Sequence, residues 1–237
     1  LKDLRNNSFL QWYYRNATKV FQPIFGVKKQ KEFYEWLFWQ IQKIKEGNLT
    51  NTHYEYFFTT YFGLTKEEYF DKNILDIGCG PRGSLEWASM ANKRVGLDTL
   101  AKQYVKMEGK KHQMDYVEAG AENIPFDDEY FDFVSSFNSL DHLDDLQKSI
   151  AEIKRVVKSG GKFLLIADIH LHKTICEPSS FSWDIVEQFL PEFTLINQNH
   201  YEGNLLYKSI RAGVPFNHQN PQERYGVLTA LFVKKAL

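Results

Sequence analysis

Apolar and polar positions change rhythm once along this chain, near residue 73. Before that point aromatic and aliphatic residues recur at helical intervals. In KEFYEWLFWQIQKIKEG, residues 31–47, Phe33, Trp36, Leu37, Ile41 and Ile44 predict a helix with one apolar face packed inward. HYEYFFTTYFGLTKEEYF, residues 53–70, keeps the aromatic density and stops at the polar step Asp71-Lys72-Asn73. From there β and α patterns alternate. NILDIG, RVGLD, MDYVEAG (114–120), FDFVSSF (131–137) and GKFLLIADI (161–169) read as strands, and 84–91, 100–107 and 143–157 as helices between them. Asp144 followed by Gln147 reads as a capping box for the helix at 143–157, with Ser159-Gly160-Gly161 as its stop. Beyond Cys176 a helix is expected at 182–190. Two closing strands follow, FTLINQNHY and YGVLTALFVKK, around a 24-residue connection from 202 to 225, a length more typical of functional loops than of bare ones. The alternation implies a doubly wound α/β fold on a parallel sheet, preceded by a helical cap or lid over 1–72.

The stretch NILDIGCGPRG, 73–83, carries the most chemistry. A strand running into glycines presents backbone amides to an anionic or electron-rich ligand group. Gly78, Gly80 and Gly83 fit the dinucleotide pattern G-x-G-x-x-G, so NAD is one reading, but on six characters alone. Asp76 argues against it, since its carboxylate at the strand end suits a cationic group and repels a pyrophosphate. Asp98 ends the next strand, where an acid can take both hydroxyls of a ribose.

DIGCGPRG, GLD, AENIPF with EYFDFV, and EIKRVVKSGGKFLL together resemble the class I S-adenosylmethionine-dependent methyltransferases, over residues 73–170. The resemblance implies a Rossmann-like sheet of seven strands with the last antiparallel, and a methyltransferase domain over 73–237. It implies S-adenosylmethionine as cofactor, held by Asp76, Gly78, Cys79 and Gly80, by Asp98 and Thr99, by Ala121 and Glu122, and by Phe137 and Asn138. Two positions depart from the family pattern: Arg82 stands where the third glycine usually falls, and Gly120 replaces the acid that often meets the adenine. The implied activity is methyl transfer to an oxygen or nitrogen of a small molecule. Methylation of RNA or protein, and a non-catalytic scaffold that binds S-adenosylmethionine, are the alternatives.

The acceptor side is expected at FNSLDHLDD, 137–145, which leaves the fourth strand. Methyl transfer is an in-line displacement, so holding donor and acceptor aligned supplies much of the rate, and a base matters only for a protonated acceptor. His142 is the candidate base, with Asp141 beside it. Equally, Asn138, Asp141 and Asp144 suit turns and caps, with His142 packed on the next helix. Asn138-x-x-Asp141-His142 is also similar to a metal-holding stretch of some O-methyltransferases, with His170 and His172 as further ligands. Asn in place of the first acid weakens that reading, and no metal is expected. Cys79 reads as a small buried residue beside the ligand rather than a nucleophile. Tyr54, Tyr56, Tyr61, His200 and Tyr201 are candidates for lining the pocket.

Composition narrows the partners. Lys and Arg number 29 against 30 Asp and Glu, a formal charge of −1, which provides no electrostatic footprint for DNA. The two cysteines, Cys79 and Cys176, belong to no C-x-x-C pair, and no apolar run approaches a membrane span, so a cytoplasmic protein without a membrane partner is expected. Aromatic residues make up 16% of the chain, enough for an aromatic-lined pocket besides the core.

Overall fold

The computed structural model describes residues 8–108, 111–170 and 176–236. The chain divides into two compact units, one within the first 49 residues together with Cys176, the other from Thr50 onward. The first unit is built on α1, Ser8–Glu46, which Gly26 interrupts with φ 77° and ψ 160°. Phe33 and Ile44 are 54% and 82% exposed, so the expected inward face is not formed. Apolar residues surround the helix here: Tyr34 is buried, while Phe33 and Ile44 of the predicted face point outward.

The second unit is a seven-stranded sheet in the order β3-β2-β1-β4-β5-β7-β6. Its strands are β1 Asn73–Ile77, β2 Lys93–Asp98, β3 Asp115–Glu118, β4 Phe131–Phe137, β5 Val157–Ile169, β6 Phe193–Glu202 and β7 Gly226–Lys234. The pairs from β3 across to β5 are parallel, and β7 runs antiparallel to both β5 and β6. The expected fold class is therefore the observed one. Four helices of this unit are α2 Tyr54–Phe58, α3 Ala101–Glu108, α4 Leu146–Val156 and α5 Leu206–Ala212.

Strand alternation sorts the core into two layers. Leu75, Val134, Leu165 and Ala230 face Ile150, Ile153 and Val156 of α4 and Ile185 and Phe189 of a 3₁₀ segment. Ile74, Phe133, Phe137, Ile166 and Leu231 face the aromatic run Tyr54, Phe57, Phe58, Phe62 and Tyr69. Residues 54–69 thus belong to the core of the sheet-bearing unit. Tyr69, fully buried, fastens the run by donating from its hydroxyl to the Phe58 carbonyl at 2.5 Å.

Several local expectations are corrected. Residues 84–91 form turns, not a helix: their amide bonds close three residues back, as from Ala88 to the Leu85 carbonyl at 3.1 Å. The Leu85 and Glu86 carbonyls also accept from Arg94 of β2, and the Glu86 carboxylate takes the Gln113 and Met114 amides, so tertiary partners outbid helical ones. The cap of α4 is Asp145, accepting from the Lys148 amide at 3.0 Å, because Glu122 holds the Asp144 and Asp145 amides and sets the helix start one residue later. Residues 182–190 tighten into the 3₁₀ segment Trp183–Phe189, and the connection from 202 to 225 contains α5. Among the described residues no helix is long and apolar enough to cross a membrane.

Phe58, 1% exposed, packs its ring 4.7 Å from Phe137 and 5.6 Å from Trp87. Phe58→Ala is expected to cost about 3 to 5 kcal/mol in denaturant unfolding of the intact chain. A change below about 1 kcal/mol would show that this segment is not part of the sheet's core.

Candidate functional site

The parallel strands end along one edge, where open α/β sheets carry their ligands. There β1 turns through Gly78, Gly80 and Gly83 with φ of 69°, 57° and 72°. This left-handed backbone suits glycine, and at Gly78 a side chain is excluded for a second reason: a Cβ would collide with Ser139. The Gly78 amide donates to the Leu97 carbonyl at 2.8 Å, tying the turn to β2. Asp98 completes the tie, accepting from the Gly80 amide at 3.2 Å and from the Leu100 amide at 2.9 Å. On the other side, Arg82 donates to the Thr50 carbonyl at 3.0 Å and Asn51 to the Gly83 carbonyl at 3.3 Å. Arg82, in the place of a third glycine, therefore braces the loop from outside.

Asp76 lies beneath this turn, 3% exposed. Ser135 of β4 donates to its Oδ1 at 2.6 Å, and Ser84 donates to Oδ2. Burial pushes its carboxyl up from near 3.8 to about 6, against the two hydroxyl bonds and helped by the Asp98 charge. Cys79 is buried behind the turn, and burial with the charges of Asp98 and Asp76 pushes its thiol well up, so it is no nucleophile. Thr99 is exposed beyond β2, and Ala121 is buried in the sheet layer that packs α4. Glu122 has its Oε1 engaged by the Asp144 and Asp145 amides. Phe137 ends β4 against Phe58 and Phe62, and Asn138 follows with φ 59°, its buried Oδ1 taking no hydrogen bond.

Past Asn138 the chain forms a 3₁₀ turn, Leu140–His142. Asp141 is fully buried between two imidazoles, His142 Nε2 at 3.8 Å and His170 Nε2, from the end of β5, at 3.4 Å. Burial alone would raise the Asp141 carboxyl; the two imidazoles outweigh it and hold it below the usual carboxylate range. Glu177, 5% exposed, joins them: ligand atoms of Asp141, His142 and Glu177 lie within 4.8 Å of one another. His172 lies outside the described residues. Farther along the edge the Tyr61 hydroxyl bonds Tyr201 at 2.9 Å and Thr229 at 2.7 Å. His200 is turned elsewhere, bonded to Gln198 at 2.6 Å and His218 at 2.8 Å and stacked near Trp183. Tyr54 stands beside Tyr207, its hydroxyl pushed up by burial and the Asp76 charge, while Tyr56 lies under Arg211.

Residues 75–165 match the family model described as a methyltransferase domain. This span, less than half of the 237 residues, is similar to methyltransferase domains. A sarcosine/dimethylglycine N-methyltransferase of Halorhodospira halochloris is 34% identical over 104 residues, 40% of this chain and 37% of the relative. A phthiotriol/phenolphthiotriol dimycocerosates methyltransferase of Mycobacterium tuberculosis is 33% identical over 98 residues, 39% of this chain and 36% of the relative. These matches span little more than a third of either relative's length. The crystal structure of the YcgJ protein from Bacillus subtilis superposes with a TM-score of 0.53 at 17% identity, over 75% of this chain and 99% of that one, a likeness of fold.

Sequence reasoning did not single out Ser84, Ser135, Ser139 or Glu177 at this edge of the sheet. Small hydroxyls inside strands and turns give no periodic signal. Asn138-Ser139 was the readable hint, since Asn tolerates the left-handed turn that aims Ser139 at Gly78.

Asp76 has a folded pKa above its unfolded one, so the folded state binds the extra proton between about pH 3.8 and 6. Stability from this group is therefore greatest in acid and declines as pH rises through that window, by on the order of 3 kcal/mol. Chemical unfolding of Asp76→Asn from pH 4 to 7 should lack this decline, and profiles parallel to those of the unsubstituted protein would refute the assignment.

Proposed function

We propose that the chain transfers a methyl group from S-adenosylmethionine to an oxygen or nitrogen of a small molecule. The observation that carries this reading is the glycine turn at the end of β1, exposed at Gly78 and pinned to Asp98 across β2. The exposed backbone of Gly78, together with the unbonded Oδ1 of Asn138, fits a polar ligand lying over the turn. In this reading Gly78, Cys79 and Gly80 present backbone, Asp98 and Thr99 receive the ribose, and Ala121 and Glu122 flank the base. Asp76, Phe137 and Asn138 shape the end nearest β4. When bound, S-adenosylmethionine supplies an electrophilic methyl group on a sulfonium.

The chain's own work is alignment, exclusion of water and handling of the acceptor's proton. Phe58, Phe62 and Phe137 supply an apolar wall beside the strand ends. Asp141 and His142 act on a protic acceptor, His142 by meeting the proton and Asp141 by placing its negative charge 3.8 Å from the imidazole. The near-neutral charge and the aromatic lining favour a small acceptor over nucleic acid. A cytoplasmic setting is consistent with Cys79 and Cys176, which are not joined in a disulfide. Because residues 54–69 are core, the moving part of the proposed lid shrinks to the residues before Thr50.

Calorimetry should find S-adenosylhomocysteine binding and NADH failing to bind; the reverse order would sink the cofactor assignment. His142→Asn should keep that affinity and lower turnover about 10²- to 10⁴-fold with a protic acceptor, and undiminished turnover would remove His142 from the chemistry. For the lid, amide exchange over residues 30–48 should slow at saturating S-adenosylhomocysteine. Exchange that ligand leaves unchanged would make this region scaffold.

A further inference from the structure

We infer that Asp141, His142 and Glu177 form a binding site for one divalent transition-metal ion, with His170 as a neighbouring fourth donor. The metal site resembled in the sequence would begin at Asn138. The geometry instead draws its third donor from Glu177, beyond β5, which no spacing pattern indicated. Backbone bonds bring the two segments together: the Ser179 amide donates to the Asp141 carbonyl at 3.1 Å, and the Ser179 hydroxyl to the Leu143 carbonyl at 3.1 Å. The 3₁₀ turn is itself closed by the His142 amide on the Ser139 carbonyl at 3.1 Å.

Three properties of the cluster point to a cation. Its donor atoms already lie within 4.8 Å of one another. Metal bonds to imidazole and carboxylate of about 2.0 to 2.2 Å would place donors no more than about 4.4 Å apart, so small side-chain rotations close the set. Asp141 and Glu177 are 0% and 5% exposed, so two carboxyl groups are held together out of water. Both Asp141 oxygens lack a hydrogen bond, the imidazoles at 3.4 and 3.8 Å being too distant or misaligned to saturate them. Imidazole with carboxylates suits first-row ions such as Zn²⁺ and Mn²⁺ better than the all-oxygen preferences of Mg²⁺ and Ca²⁺.

The role of the ion rests on the methyl-transfer reading; its binding does not. At this place it would hold a heteroatom of the acceptor and lower its proton affinity, with His142 serving as ligand in the loaded protein.

The full chain, stripped with a chelator and dialysed, is titrated with Zn²⁺ and separately with Mn²⁺ in a calorimeter, and S-adenosylhomocysteine is titrated into the same samples. One ion should bind per chain and raise the thermal midpoint. Glu177→Gln and Asp141→Asn should each weaken ion binding by more than the about 10- to 100-fold that loss of even an outer-shell partner costs. Glu177→Gln remains decisive if Asp141→Asn fails to fold. Absence of saturable binding, or equal binding by the variants, overturns the site. Binding with turnover indifferent to the chelator overturns its role. Loss of S-adenosylhomocysteine binding with ion binding intact would count against the methyl-transfer reading alone.

Discussion

Asp76 carries both its carboxylate oxygens inside the protein, one on Ser135 of β4 and the other on Ser84 beyond the glycine turn. The chain leaving β1 must therefore return to within hydrogen-bond reach of where it started, eight residues later. Only a tight bend does this, and the left-handed glycines supply it. A carboxylate stripped of water is costly, and hydroxyl partners offset that cost only while both stay in place. The turn is consequently rigid before any ligand arrives. Its amides are already committed, those of Gly78 and Cys79 to the Leu97 carbonyl and that of Gly80 to Asp98.

Asp98 repeats the device one strand over, with a different balance. Its carboxylate is partly exposed and takes two backbone amides, one from the turn and one from the start of α3. Asp76 fixes the turn from below, and Asp98 fixes it from the side. Both acids sit at strand ends, so the parallel register of β1 with β2 and β4 converts a spacing along the chain into a constellation in space.

This explains why the glycine-turn half of the candidate site was legible in the sequence and the other half less so. FDFVSSF predicted β4 to the residue, and the strand-end positions of Asp76 and Asp98 followed from the alternation of apolar runs. Elements whose boundaries depend on local periodicity were readable; those decided by a distant partner were not. The turns at 84–91 are helical in pattern, but Arg94 and the amides of Gln113 and Met114 draw their polar groups away. The start of α4 moved by one residue because Glu122, from another loop, claimed the amides there. Glu177 is the extreme case. Nothing within its own segment points to Asp141, and the two Ser179 bonds across the loops help bring them together. The stretch before Thr50 misled in the opposite way: Phe33, Ile41 and Ile44 keep the helical spacing of a packed face, yet all three are exposed, while Tyr34 between them is buried.

The two halves also differ in what can vary. The glycine turn depends on strand ends buried in the sheet, so a change there disturbs β1, β2 and β4 together. The acceptor half is assembled from the segment after β4, the segment after β5 and the aromatic run of α2, joined by a few bonds at their tips. Tyr61 illustrates the arrangement. Its hydroxyl is engaged by both Thr229 and Tyr201, and burial raises its pKa, so it serves as a neutral, already committed group that shapes the wall. Asp141, by contrast, is buried with oxygens that no hydrogen bond completes. A protein that saturates one polar group and leaves another incomplete along the same edge separates framework from function. The saturated group holds the wall in place, and the incomplete one leaves buried oxygens that an incoming cation could complete.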